Sequence, residues 1–92
     1  MSIKFRKEAS KFLDKASFED VTRIGNKINQ LLISIEEEKT IPFTELNIKK
    51  MRGNWEGFYR IRIGKIRIVF TADIDSTEVV VYTIGVRGDV YK

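Results

Sequence analysis

Two strand-like segments near the C-terminal end carry arginines, and these are the residues of the sequence best suited to chemistry. Arg60 and Arg62 lie two positions apart within residues 58–63, and Arg67 lies within residues 66–72. Both segments are rich in β-branched and aromatic residues, so we predict two β-strands. Because side chains alternate between the faces of a strand, Arg60 and Arg62 should project from the same face.

The connection between these segments predicts how the arginines are arranged across the two strands. Gly64 and Lys65 make a two-residue hairpin with glycine first, as a type II′ turn prefers. Such a turn fixes the register and places Arg62 directly opposite Arg67. Opposed like charges are destabilising, and an anion bound between them would explain the arrangement, although long arginines can also splay into water. Phosphate suits arginine in particular, because the planar fork donates two parallel hydrogen bonds.

Positive charge is concentrated around this hairpin. The chain has 92 residues, with 17 Lys and Arg against 13 Asp and Glu, for a formal net charge of +4. Between residues 49 and 67 the only acid is Glu56, and the basic residues are Lys49, Lys50, Arg52, Arg60, Arg62, Lys65 and Arg67. A local excess of this kind attracts phosphates, so we predict that Lys49, Lys50, Arg52 and Lys65 bind nucleic acid. The alternative is a solvated surface that only aids solubility.

The sequence contains no histidine and no cysteine. Disulfides, thiolate nucleophiles and metal sites made of histidine or cysteine are therefore excluded, and the usual general base is missing. No clustered Asp/Glu motif is present either, so we expect neither a metal nor a cofactor. Glu56 and Tyr91 remain as candidates for proton transfer.

The elements that position these residues read as one α+β domain over residues 1–92. Residues 3–5 alternate in polarity and predict a short first strand. Apolar residues at helical spacing predict two antiparallel helices, one over residues 7–15 and one from a cap at Ser17 to about residue 38. Gly25 lowers helix stability, so we expect close helix packing there.

The second half of the chain completes the predicted sheet. Pro42 ends the helical region, residues 40–56 predict a loop, and residues 79–84 predict a last strand. The order β-α-α-β-β-β favours a mainly antiparallel four-stranded sheet with both helices on one face. The other face is then free for function. Beyond the last strand the tail carries Arg87 and Tyr91, which could close over that free face.

Three segments together resemble the RelE/ParE superfamily of bacterial toxins. They are residues 51–53, 59–70 and 85–91, which read MRG, YRIRIGKIRIVF and GVRGDVY. The shared pattern is a basic turn with glycine, two strands bearing arginines, and a tail with Arg and Tyr. The resemblance covers nearly the whole chain, because the two helices also match in place.

The resemblance implies a metal-independent endoribonuclease, an mRNA interferase that acts with the ribosome and inhibits translation. Its partners would be a cognate antitoxin protein, mRNA and the ribosome. Catalytic roles carry over by position to Arg60, Arg62, Arg67, Arg87 and Tyr91. The arginines would hold the phosphate and stabilise charge during attack by a 2′-hydroxyl, and the tyrosine would stack on or orient the nucleotide. Val86 and Gly88 depart from the pattern, since many relatives have His and a second basic residue there.

Two other functions stay open. The ParE branch of the superfamily acts on DNA gyrase and needs no RNA chemistry, although Tyr91 together with Arg67 and Arg87 favours the RNase branch. A non-catalytic RNA- or protein-binding module would account for the missing general base. The N-terminal residues lack the apolar region of a signal peptide, and no apolar run is long enough to span a bilayer. We therefore expect a cytoplasmic protein that makes no membrane contact.

Overall fold

The computed structural model describes residues 2–86, and the first half of this range forms a strand and two helices. The elements are strand β1 (Ser2–Phe5), helix α1 (Lys7–Lys15), helix α2 (Phe18–Ile33) and a π-helical turn that continues α2 (Ser34–Glu38). Ser17 caps α2, because its side-chain oxygen accepts a hydrogen bond of 3.1 Å from the Asp20 N–H. These bounds confirm the predicted first strand and both helices.

The strands of the described residues form one mixed sheet in the order β1-β5-β4-β3-β2. The later strands are β2 (Ile48–Lys50), β3 (Tyr59–Ile63), β4 (Ile66–Asp73) and β5 (Glu78–Val86). Strand β1 runs parallel to β5, and the other neighbouring strands are antiparallel. The predicted α+β class and the mainly antiparallel character of the sheet are confirmed.

The prediction of four strands is wrong, because β2 lies inside the segment that was predicted to be a loop. Three residues are too few for an alternating pattern to emerge, and Ile48 is the one buried residue among them. Pairing with β3 therefore makes this segment a strand, rather than any preference that its own sequence expresses.

The core lies between the helices and one face of the sheet, here called the inner face. Ala9 of α1 and Ile24 of α2 are buried together with inner-face residues of β3, β4 and β5. Phe70 of β4 is fully buried, and its ring stacks on that of Tyr59 with 5.6 Å between centroids. Both helices thus cover the same face of the sheet, as predicted. The opposite face, called the outer face below, is where polar side chains can collect.

Gly25 does not mark a close helix contact. It is exposed on α2, and a Cβ added to it would have no heavy atom within 4 Å. The predicted close packing at this position is therefore wrong, and the glycine only lowers the stability of the helix.

Replacing Gly25 with alanine is expected to raise the free energy of unfolding by about 0.5–1 kcal/mol, because alanine loses less backbone entropy in a helix. Gly64→Ala is the matched control and should destabilise the protein. Gly64 has φ +60°, and its added Cβ would lie 3.2 Å from Arg23 Nη2. Denaturant unfolding of both variants measures the difference. A loss of stability in Gly25→Ala would show that this position is sterically constrained after all.

Candidate functional site

The side chains of β3 alternate between the core and the outer face. Ile61 and Ile63 are buried, at 0% and 6% exposure, whereas Arg62 between them is exposed. Arg60 has the same parity as Arg62 and is half-buried. The isoleucines fix the orientation of the strand, because turning it over would expose both of them to water. As predicted, Arg60 and Arg62 therefore share the outer face.

The hairpin register places Arg62 and Arg67 directly opposite each other across β3 and β4, which confirms the predicted pair. Gly64 has φ +60°, as the first central residue of a type II′ turn requires. On the other side of Arg67, its partner on β5 is Gly85, which has no side chain to crowd the guanidinium.

A second pair of like charges lies beside the first. Lys49 of β2 is the register partner of Arg60, so these two side chains share the outer face as well. The sequence alone did not predict this pair, because it depends on β2. Two adjacent opposed cation pairs make the outer face a surface on which an anion offsets repulsion between side chains.

The turn end of the outer face carries further positive charge. Arg62, Gly64, Lys65 and Arg67 line a small cleft of about 110 Å³. Arg23 also reaches this end from α2, since its Nη2 lies 3.2 Å from the position of a Cβ on Gly64. Sequence reasoning missed Arg23, because nothing in the pattern of a helix shows which strand turn it will pass.

The opposite end of the outer face is formed by β2 and the residues that follow it. Lys49 and Arg52 line a cleft of about 240 Å³ together with Arg60. The structure thus brings these two predicted RNA-binding residues next to a predicted catalytic arginine. Lys50 borders the same cleft, but its ammonium lies 5.8 Å from the ring centroid of Phe43. A cation–π contact therefore turns Lys50 away from the arginines.

An aromatic cluster adjoins the basic residues, and the sequence analysis missed it. Phe58 contacts Trp55 and Tyr82 edge-on, with ring centroids 5.2 Å and 4.7 Å apart. The guanidinium carbon of Arg6 lies 5.1 Å from the centroid of Tyr82. We call Trp55, Phe58 and Tyr82 the aromatic wall. Phe58 lies two positions before Arg60 in an extended segment, so alternation could have predicted that it shares the outer face with Arg60. The position of Tyr82 could not be predicted from alternation along β5, because it depends on a β-bulge. The register of β4 and β5 shifts between Val69 and Phe70, and Tyr82 has no partner on β4.

The outer face is consequently not wholly polar. Val69 is the register partner of Arg60, yet it is fully buried and lies outside the main core. The face that was predicted to be free is therefore a basic surface with a buried apolar residue, Val69, among the charged side chains. Burial of Val69 keeps β4 in place beside Arg60, and binding of a phosphate favours charged side chains at a fixed spacing.

Among the described residues, Lys4 pairs with Glu78 and Lys11 pairs with Glu8 away from this surface, whereas Arg23, at the turn end, pairs with Asp20; each of these ion pairs is 3.8 Å long. Within residues 2–86, Lys49, Arg52 and Arg62 make no ion pair with a carboxylate. These three cations are available to an external anion.

Two of the predicted catalytic residues, Arg87 and Tyr91, lie outside the described residues, so their roles stay predictions. Residues 2–86 hold no group of three or more acidic side chains placed to bind a metal ion. Over the same range, no helix is both long enough and apolar enough to cross a membrane.

No protein-family model matches the chain, and no curated protein matches it either. Several solved structures, however, match the chain over nearly its whole length. A chain of the RelB–RelE antitoxin–toxin complex from Methanococcus jannaschii is 24% identical, with a TM-score of 0.73 over 97% of this chain and 95% of that one. A chain of the RelE–RelB complex from Pyrococcus horikoshii is 20% identical, with a TM-score of 0.70 over 97% of both chains.

The isolated RelE toxin of Escherichia coli also matches, at 22% identity and a TM-score of 0.67 over 97% of this chain and 88% of that one. The alignments span nearly the full length of each protein, so the likeness extends to the whole domain and not to one motif. The chain therefore has the RelE-like fold, and its outer face carries both the Arg62–Arg67 pair that the sequence predicted and the Lys49–Arg60 pair that it did not.

Proposed function

We propose that this protein is the toxin of a toxin–antitoxin pair and that it cleaves mRNA on the ribosome. The observation that carries the proposal is the pair of opposed cations Arg62 and Arg67, beside Lys49 and Arg60, on the outer face of a RelE-like fold. Each pair contains a cation, Lys49 or Arg62, that makes no ion pair within residues 2–86, so this surface suits a ligand rich in phosphates.

The proposed reaction is an in-line attack by a ribose 2′-hydroxyl on the adjacent phosphorus. A bond from O2′ to phosphorus forms while the bond from phosphorus to O5′ breaks, which yields a 2′,3′-cyclic phosphate and a 5′-hydroxyl. The proton of the 2′-hydroxyl is lost and the leaving oxygen gains one. Negative charge grows on the non-bridging oxygens in the transition state, and fixed guanidinium groups are best placed to stabilise it.

The division of labour among the cations follows from their positions. Arg62 and Arg67 face each other closely enough to hold one phosphate between them, and Arg60 with Lys49 is placed to hold a neighbouring phosphate. Arg52 and Lys65, at the two ends of the surface, extend the backbone contacts. Arg87 and Tyr91 are proposed to complete the site, the first as a further phosphate ligand and the second by stacking on a base.

The proposed protein partner is an antitoxin that covers the outer face. Two of the similar structures come from complexes of a RelE with a RelB. An acidic segment would satisfy Lys49, Arg52 and Arg62 in the way that RNA phosphates do.

Expression of the chain is expected to arrest growth and to produce new in-frame 5′ ends in translated mRNA, because the site as proposed needs the ribosome to complete it. Primer extension on a translated message measures these ends, and the purified chain alone should cut poorly. Intact mRNA together with trapped gyrase–DNA complexes would instead assign the protein to gyrase. Normal growth with neither effect would favour a non-catalytic binding module.

Arg67→Ala is expected to abolish translation inhibition while changing the free energy of unfolding by less than about 1 kcal/mol in either direction. Relief of repulsion with Arg62 stabilises the hairpin by roughly 0.2–1 kcal/mol, and loss of the other contacts of the Arg67 side chain offsets part of that. Lys15→Ala on α1 removes the same charge far from the outer face and should keep activity. Sulfate should raise the melting temperature of the wild type more than that of Arg67→Ala. A variant that unfolds, or that stays fully toxic, would make Arg67 a structural residue.

Co-expression with the product of an adjacent reading frame should restore growth, and the two proteins should co-purify, because the partner neutralises the outer face. Arg62→Glu should weaken the complex by charge reversal, whereas Lys15→Glu should leave it intact. Affinity measurements on the purified pair compare the two. Equal affinities for both variants would place the partner on another surface.

A further inference from the structure

The segment that joins β2 to β3 is a closed loop of fixed shape. The Met51 N–H donates to the Phe58 carbonyl at 2.9 Å, and the Phe58 N–H donates to the Trp55 carbonyl at 3.0 Å. Gly53 and Gly57, with φ of 66° and 92°, make the sharp reversals that this path requires. Glu56 at the tip of the loop is therefore held at a defined position relative to β2.

The loop and the end of β2 enclose a cleft of about 680 Å³, larger than the two clefts among the arginines. Lys49 and Arg52 line one part of it, Glu56 lines another, and Phe58 contributes apolar surface. The smaller cleft with Arg60 shares Lys49 and Arg52 with this one, so the two clefts adjoin. If a single strand of RNA binds along the arginines, its neighbouring nucleotides would lie in this cleft.

Phe58 presents a rigid apolar surface inside this charged cleft. Its ring is held edge-on by Trp55 and Tyr82, and Arg6 in turn lies over Tyr82. An aromatic side chain fixed from two sides loses little entropy when a planar group packs against it. Nucleic-acid bases are planar groups of this kind, and contact with an aromatic side chain contributes to binding of single strands.

Glu56 is an exposed carboxylate in an otherwise basic cleft. Within residues 2–86 it makes no ion pair, although Lys49 and Arg52 line the same cleft. A carboxylate weakens the binding of phosphates, so its presence here needs another explanation. An ionised carboxylate only accepts hydrogen bonds, and its two oxygens match two parallel donors.

Among the four RNA bases, guanine offers such a pair of donors. Its N1–H and N2–H point in the same direction on the Watson–Crick edge, whereas uracil shows a single N–H between two carbonyl oxygens that repel a carboxylate. Adenine and cytosine each show one amino group beside a ring nitrogen acceptor. A carboxylate therefore favours guanine most and uracil least.

We propose that the cleft between β2 and the 51–58 loop is a base-recognition subsite in which Glu56 reads the Watson–Crick edge of a guanine. The base packs against Phe58, and the flanking phosphates contact Lys49 and Arg52. Glu56 is a specificity residue that makes no contact with the scissile phosphate, which lies at the arginines. The assignment rests on the proposed function, because it assumes that the outer face binds RNA.

Binding of labelled single-stranded oligouridines that carry one variable central base tests the subsite, with fluorescence anisotropy as the readout. The wild type should bind the oligonucleotide with guanine about fivefold more tightly than the one with uracil, the low end of the range for a bidentate contact, because Glu56 is exposed. Glu56→Gln should reduce this ratio to below about twofold, since an amide presents one acceptor and one donor in place of two acceptors. Glu45→Gln makes the same change of charge in an exposed turn outside the cleft and should keep the wild-type ratio.

The outcomes separate the subsite from the proposed function. Salt-dependent binding with equal affinity for all four bases would overturn the subsite and leave RNA binding in place. A guanine preference that persists in Glu56→Gln would overturn the role of Glu56. Failure to bind any of the oligonucleotides would overturn both. Loss of cleavage on every message in Glu56→Gln, with the guanine preference kept, would make Glu56 a proton acceptor in the reaction and refute the specificity role.

Discussion

Mutual repulsion among the cations of the outer face is the interaction that the rest of the structure has to offset. Lys49 opposes Arg60 and Arg62 opposes Arg67, and each such pair costs roughly 0.2–1 kcal/mol. Burial of Ile61 and Ile63 on the other side of the same strand contributes about 1.5–3 kcal/mol per side chain. Burial on the inner face therefore outweighs the repulsion, and the sheet can hold both pairs of like charges in register.

The outer face is also supported from its own side. Val69 is fully buried between Arg60 of β3 and Thr83 of β5, and the aromatic wall packs around Phe58 just before β3. A surface made only of long basic side chains would be free to rearrange. Apolar contacts beside the cations fix where the strands and the 51–58 loop lie, so the charges keep a constant spacing.

The two ends of the surface differ in chemistry. The hairpin end is mainly basic, since Lys65 joins Arg62 and Arg67 there and Arg23 approaches from α2 in an ion pair with Asp20. The other end combines Lys49 and Arg52 with a carboxylate and an aromatic ring. This asymmetry suits a single strand bound in one direction, with backbone contacts along the face and a base read at one end.

The sequence by itself determined the helices, the β3–β4 hairpin and the opposition of Arg62 and Arg67. Each depends on local rules: apolar spacing along a helix, alternation along a strand, and the register that a two-residue turn imposes. Only the tertiary structure decided that residues 48–50 form a strand, that Lys49 faces Arg60, that Lys50 turns to Phe43, and that Trp55, Phe58 and Tyr82 form one cluster. These features depend on contacts between distant segments and on a β-bulge, and the residues within any one segment do not encode which partner it will meet.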